Sequence, residues 1–317
     1  MSPLRLVVMG AGGVGGYFGA RLARAGQPVT LVARGLHLEA LRRHGLRVRS
    51  RLEGEYAVPA HAVASLEGQP AADVVLFCVK TYDSDTALAT IRPVVGPDTA
   101  VLSLQNGIDN TERIDAALGP GHALGGAAYV FATLEAPGVV AHRDAGRVVF
   151  GELDGHSSPR SERLREAFAA AGVPAELSRD IRRVLWTKYL MICAQAGVTA
   201  VTRRPIGIVR GVAETWELYR RVLEELATLA KTAGVGLGPD VVEDISTMAA
   251  GLAPEATSSL AHDLAQGRRL ELEALHGHAV RLGRQLGVPM PTVFAIYAAL
   301  KPWGDGDPAK AAPGPRG

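Results

Sequence analysis

The sequence predicts an α/β protein in which an N-terminal doubly wound sheet is followed by an all-helical C-terminal domain. Three observations carry this. Short apolar runs alternate with helical patterns through the first half, a glycine-rich turn links the first strand to the first helix, and beyond residue 178 only long helical periodicity remains.

Residues 4–9, 28–32, 73–79 and 99–104 are rich in Val, Leu and Ile and are bounded by Gly, Pro or Asp, the pattern of strands buried on both faces. Between them, residues 14–25, 36–44 and 84–92 read as helices. Residues 121–132 and 139–151 read as later strands of the same sheet, with a hairpin at 143–146, and 161–171 as a helix stopped by Gly172 and Pro174. In the second half, residues 180–202, 212–233, 240–252 and 267–286 repeat at helical spacing, and 291–300 adds a shorter helix with prolines at its entrance. The end, 304–317, is Gly, Pro, Ala and charge and reads as a flexible tail. The expected organisation is therefore a sheet domain over 1–178, a helical domain over 179–303 and the tail.

Of 317 residues, 47% are hydrophobic and 21% charged, with a net charge of +2, which is the composition of a soluble globular chain. Nothing in it resembles the basic excess of a nucleic-acid binder, and the uncharged stretch 6–20 is too short and glycine-rich to span a bilayer. No nucleic-acid or membrane partner is expected. Two cysteines, Cys78 and Cys193, sit in apolar runs and read as buried structural thiols, so a reducing, cytoplasmic setting is expected. The nine histidines show no zinc-type spacing, and no metal is expected. Apolar helices such as 212–233 could bury against a second subunit, giving a homodimer, or within the monomer.

Gly10-Ala11-Gly12-Gly13-Val14-Gly15 is a GxGxxG turn between the first strand and first helix. Its first glycine permits the tight turn, the second lets backbone approach a pyrophosphate, and the third lets the helix pack on the sheet. The helix N-terminus then offers N–H groups and a positive dipole end to the anion. Gly10, Gly12, Gly13, Val14 and Gly15 are the expected contacts of a dinucleotide in a Rossmann-like domain. The second strand ends in Ala33-Arg34-Gly35. An acid there would accept from a ribose 2′-OH, whereas the Arg34 guanidinium suits a 2′-phosphate, so NADPH is the expected cofactor.

Lys80 and Asn106 follow the third and fourth predicted strands, at the carboxyl edge where ligands of such sheets bind. Lys188 is the only charged side chain between Val184 and Ala194, in an apolar helix, and a buried lysine is costly unless it is paired or functional. Snorkelling to the surface is its alternative. Glu271 and Glu273 near a helix start read by default as solvated acids.

Together these pieces resemble the ketopantoate reductase (2-dehydropantoate 2-reductase) family, over nearly the whole chain and in order. The resemblance runs through the GxGxxG turn, Val79-Lys80, Gln105-Asn106-Gly107 and Trp186-Thr187-Lys188. It continues in Thr199-Ala200, Pro205-Ile206-Gly207, Ser258-Ser259 with Asp263, and Gly267-Arg268 with Glu271. It implies a two-domain enzyme of pantothenate biosynthesis that reduces the ketone of a 2-oxo acid with NADPH in a cleft between domains. It further implies Lys188 as catalytic lysine and proton donor, Glu271 as the acid that binds substrate, Ser259 near the substrate carboxylate, and Lys80 and Asn106 close to the nicotinamide and substrate. Where the family commonly has asparagines this chain has Ile192, Ala196 and His276, while Gln195 shares the Lys188 face at i+7. A related reductase acting on a different keto acid, a non-catalytic NADPH-binding regulator and an interaction protein with a vestigial nucleotide site remain as alternatives.

Overall fold

The structure, a computed structural model, describes residues 3–307. It divides into two compact units, Met1–Gln105 with Asp109–Val184, and Asn106–Ile108 with Leu185–Gly317. The division falls a few residues past the change of texture near 178. Residues up to there are still bonded to the sheet, as in the Ser178 N–H that donates to the Phe150 carbonyl at 2.8 Å.

Among the described residues the first unit is built on ten strands: β1 (Leu6–Met9), β2 (Val29–Val32), β3 (Leu46–Ser50), β4 (Gly54–Val58), β5 (His61–Val63), β6 (Val74–Phe77), β7 (Ala100–Ser103), β8 (Ala123–Ala136), β9 (Val139–Gly151) and β10 (Ala175–Leu177). Five helices accompany them: α1 (Gly13–Arg24), α2 (Gly35–His44), α3 (Ser84–Ile91), α4 (Asn110–Leu118) and α5 (Pro159–Ala170). Strands β5-β2-β1-β6-β7-β8 are all parallel. Their order is that of a dinucleotide-binding sheet, in which the chain reverses direction beside β1 and opens a crevice at the carboxyl ends of β1 and β6. Alternate residues face opposite layers. Leu6, Val8, Leu76 and Leu102 pack with Phe18 of α1 and Phe168 of α5, while Val7, Val75, Phe77 and Val101 pack with Leu88 of α3 and Ile114 of α4. Burial on both faces explains why the parallel strands read as unbroken apolar runs.

The remaining strands extend this sheet. β8 and β9 pair antiparallel, β9 takes β3 and β10 in parallel, and β4 closes the edge antiparallel to β3. The expected hairpin at 143–146 is corrected here. The chain turns between Ala136 and Val139, and Ala145 (φ 58°) and Gly146 (φ 132°) instead accompany a register shift inside β9. A side chain at 146 would strike the Tyr17 hydroxyl, at 2.4 Å from an added Cβ, so the bulge seats α1 on the sheet.

The second unit holds the rest of α6 (Ile181–Thr202), with α7 (Ile206–Gly211), α8 (Ala213–Thr232), α9 (Val241–Ala250), α10 (Ser259–Ala265), α11 (His278–Leu286) and α12 (Pro291–Leu300). Tyr219, Val222, Leu223, Leu226, Leu229 and Ala230 form the buried stripe of α8, at the spacing of one helix face. The first N–H groups of α12 are capped from outside, since Glu225 of α8 accepts from Thr292 at 2.8 Å and Val293 at 3.0 Å. α6 is long and apolar enough to cross a bilayer by length and composition, but most of it is buried against protein.

Two further expectations change. The single helix over 267–286 begins later, with a π-helical turn at Glu273–Gly277 ahead of α11. The tail expected from 304 is in part fixed: the Leu270 N–H donates to the Gly304 carbonyl and the Asp307 N–H to the Gly267 carbonyl, both at 2.9 Å. Those backbone groups are paired, which holds 304–307 on the helical unit. Residues 308–317 of that expected tail lie outside the described residues.

Arg21 of α1 supplies a test of the sheet unit. Its buried guanidinium donates to the Ala171 carbonyl, at 2.7 and 2.9 Å, and to the Gly172 carbonyl at 2.8 Å, and it pairs with Glu53. It thereby satisfies carbonyls at the end of α5 that have no helical partner. Arg21→Met should cost about 2–4 kcal/mol, because it strands those acceptors and leaves Glu53 only the more distant Arg24. Urea unfolding of the two proteins measures the difference, and an unchanged midpoint would contradict the role.

Candidate active site

Gly10 follows β1 with φ +95°, where a side chain is strained, and an added Cβ would lie 2.8 Å from the Val79 nitrogen beyond β6. An added Cβ at Gly15 would lie 2.2 Å from the Gly10 carbonyl and 3.0 Å from the Cys78 Cβ. Gly10 and Gly15 therefore let the turn and α1 press against the ends of β1 and β6. Gly13 does the same against β8, with the Ala132 carbonyl 2.1 Å from an added Cβ. Gly12 differs, because nothing lies within 4 Å of its added Cβ. That open space stands before the N-terminus of α1, which carries no side-chain cap and no acid in its first turn. A pyrophosphate fits such a cradle, with N–H groups and a positive dipole end facing it.

His37 in the first turn of α2 holds this turn from behind. The Gly138 N–H donates to its Nδ1 at 2.9 Å, so Nε2 carries the proton and donates to the Ala11 carbonyl at 2.8 Å. Arg34 is the N-cap of α2, and its side chain is 89% exposed. Its guanidinium lies 3.6 Å from the Asp83 carboxylate, a surface contact weak enough to yield to a phosphate. Lys80 is half-buried beyond β6 and opens the 3-10 turn Thr81–Asp83, whose Asp83 N–H returns to its carbonyl at 2.9 Å. Buried Gln105, after β7, fastens that region by donating to the Val79 carbonyl at 3.0 Å and the Ser84 hydroxyl at 2.9 Å. Asn106 is half-buried and groups with the helical unit, and Ile108 packs on the core of that unit.

In the helical unit Lys188 is buried, 8% exposed, so the snorkelling alternative fails. Burial lowers its pKa to about 8, against an opposing pull from the Glu271 carboxylate. Glu271 is itself 7% exposed and is no solvated acid. Desolvation wins over attraction, leaving an ammonium that can give up its proton near neutral pH. Glu273 points elsewhere, to Arg281, Tyr297 and Lys301, which hold its carboxyl down at about 2.

Ser258 and Ser259 part company. Buried Ser258 caps α10, accepting from the Ala261 N–H at 3.0 Å, and its hydroxyl meets Thr199 at 2.9 Å. Ser259 is exposed as the first residue of α10. Asp263 and Arg268 pair with each other at 2.7 and 2.8 Å, which is a structural use of that motif. Ala196 is buried in the apolar core of the unit and Ile192 packs against it. His276 is fully buried; its Nε2–H donates to the Cys193 carbonyl at 2.9 Å, and burial lowers its pKa to about 4. Burial also pushes the Cys78 and Cys193 thiols up, so neither is a nucleophile at neutral pH. No motif pointed to His37 or Tyr189, since each acts through a backbone group distant in sequence, and Gln105 stood in a motif without a role of its own.

A parallel dinucleotide sheet with a glycine cradle, joined to a helical unit with a buried lysine–glutamate pair, defines a nicotinamide-dependent oxidoreductase. Family models described as "Ketopantoate reductase PanE/ApbA" and "Ketopantoate reductase PanE/ApbA C terminal" match residues 6–155 and 180–303. The chain belongs to the ketopantoate reductase family. It is 30% identical to a 2-dehydropantoate 2-reductase of Mesorhizobium japonicum, covering 94% of this chain and 97% of that protein. It is 29% identical to the uncharacterized oxidoreductase YkpB of Bacillus subtilis, covering 94% and 98%. Among solved structures, a PanE/ApbA family ketopantoate reductase from Ralstonia eutropha aligns with a TM-score of 0.87 at 35% identity, over 94% of this chain and 98% of that one.

His37→Ala should loosen the glycine turn and raise the Kd for the dinucleotide about tenfold, the worth of one well-placed hydrogen bond. Titration calorimetry reads it; an unaltered Kd would assign His37 to α2 alone.

Proposed function

We propose that this chain uses NADPH to reduce 2-dehydropantoate to pantoate, by proton donation from Lys188 to the ketone oxygen. The observation that carries the reading is the buried Lys188 beside the buried Glu271, in a chain of this reductase family. When bound, the dinucleotide supplies the hydride. Gly10, Gly12, Gly13, Val14 and Gly15 would hold its pyrophosphate and Arg34 its 2′-phosphate, with Lys80 and Asn106 near its nicotinamide end. Lys188 would stabilise the developing alkoxide and protonate it, a charge and an acid in one group. Glu271 would accept a hydrogen bond from the substrate hydroxyl and keep Lys188 charged. Ser259 would lie at the substrate carboxylate.

A second reading, a different 2-oxo acid with an apolar side chain, is supported by Ile192 and Ala196. They follow Lys188 at i+4 and i+8 on one row of α6 and offer a ligand no polar group. NADPH oxidation with 2-dehydropantoate against a panel of apolar 2-oxo acids decides between the two, by the ratio of kcat/KM.

Lys188→Ala should lower kcat by ~10²–10⁴-fold with dinucleotide binding intact, the usual worth of a general acid. Wild-type turnover in that variant would end the assignment. The acid must be protonated, so reduction should be level at lower pH and fall as pH rises through about 8. Arg34→Ala should weaken NADPH about ten- to a hundredfold and leave NADH alone, the loss of one charge-assisted pair. Equal losses for both nucleotides would assign Arg34 another role.

A further inference from the structure

Glu271 lies in the turn just ahead of the π-helical turn Glu273–Gly277, and that π turn is tied to α6 at two points. The Tyr189 hydroxyl donates to the Leu275 carbonyl at 2.6 Å, and His276 Nε2–H donates to the Cys193 carbonyl at 2.9 Å. Tyr189, Cys193 and Gly197 form one i, i+4, i+8 row of α6, next to the row that begins with Lys188. Leu275 stands one turn after Glu271, and its N–H returns to the Glu271 carbonyl at 3.2 Å.

The π turn is what aims these groups. The Gly277 N–H reaches back to the Leu272 carbonyl at 2.9 Å, five residues away, so one extra residue is held in the turn. His276 sits inside this widened turn, and its imidazole lies against α6. Room for it exists because position 197 is glycine: an added Cβ there would lie 2.6 Å from His276 Nε2. The imidazole is wholly buried and its Nδ1 finds no partner among the described residues, a cost that packing alone does not explain. Tyr189 in turn is one residue from Lys188, and Glu271 is the charged group that acts on Lys188.

We propose that Tyr189 and His276 are positioning residues, which set the register of the Glu271 carboxylate against the Lys188 ammonium by tying the π turn to α6. The proposal rests on Lys188 and Glu271 being the working pair of the reductase reading. Removing either tie lets the carboxylate drift while Lys188 stays buried in α6. The opposing pull then weakens and desolvation is left to act alone.

The chain contains five lysines, so selective ¹³C labelling with Lys188→Arg for assignment follows the Lys188 titration by NMR without any substrate. The wild-type midpoint is expected near 8. Tyr189→Phe and His276→Leu should each lower it by at least about half a unit, part of the ~1–3 units that an adjacent opposite charge is worth. Gly197→Ala, which displaces the imidazole, should do the same. His276→Gln, whose amide keeps a donor near the Nε2 position, should restore the wild-type value. In a Glu271→Gln background Tyr189→Phe should produce no further shift, as a double-mutant cycle requires of coupled groups. Unchanged midpoints in folded variants, an upward shift from entry of water, or an equal shift in the Glu271→Gln background would each overturn the proposal. A chain that turns over no 2-oxo acid would sink the proposed reaction and leave this coupling to be read by itself.

Discussion

The helical unit is organised around one cost, an ammonium taken out of water. Lys188 is buried in the long apolar helix α6, and the desolvation penalty outweighs the attraction of Glu271, bringing its pKa to about 8. Such a group is poorly stable as a structural element, since a buried ion pair often contributes less than an apolar substitute would. On the proposed reading its justification is chemical. A lysine poised near neutral pH both carries charge to a developing alkoxide and releases a proton to it. Around it stand a π turn that departs from the α-helical ladder, a buried tyrosine hydroxyl, and a neutral imidazole in a space left by glycine, which on the same proposal serve that end.

The sheet unit meets a different requirement, a half-buried glycine turn on a rigid base, with the open space a pyrophosphate would need. Gly10, Gly13 and Gly15 press the turn onto β1, β6 and β8, and Gly12 alone faces open space. His37 and Gln105 stiffen that edge from behind by binding backbone carbonyls of Ala11 and Val79. Rigidity here spares a dinucleotide the cost of ordering its own cradle on binding.

The parallel strands and long helices were legible because their signals are local. Apolar runs mark strands buried on both faces, and a period of 3.6 residues marks the stripe of α8. Shorter strands such as β5 and β10 escaped, since three residues carry no period. The hairpin was misplaced from 143–146 because Ala145 and Gly146 look like a turn and form a bulge, whose reason is the Tyr17 hydroxyl on another element. The helix over 267–286 was drawn too long at its start, because residues 268–272 carry the apolar spacing of a helix yet form coil and turn ahead of the π-helical turn.

By itself the sequence determined the glycine turn, the dinucleotide sheet and the helical half, together with the short motifs that place the chain in its family. These depend on residue type and spacing along one stretch of chain. Only the tertiary structure decided that Lys188 is buried rather than snorkelling, that Glu271 acts on it while Glu273 is drawn off to Arg281, Tyr297 and Lys301, and that Ser258 rather than Ser259 caps α10. Burial and the distance between charges belong to segments far apart in sequence. They set a pKa only once packing has removed the water.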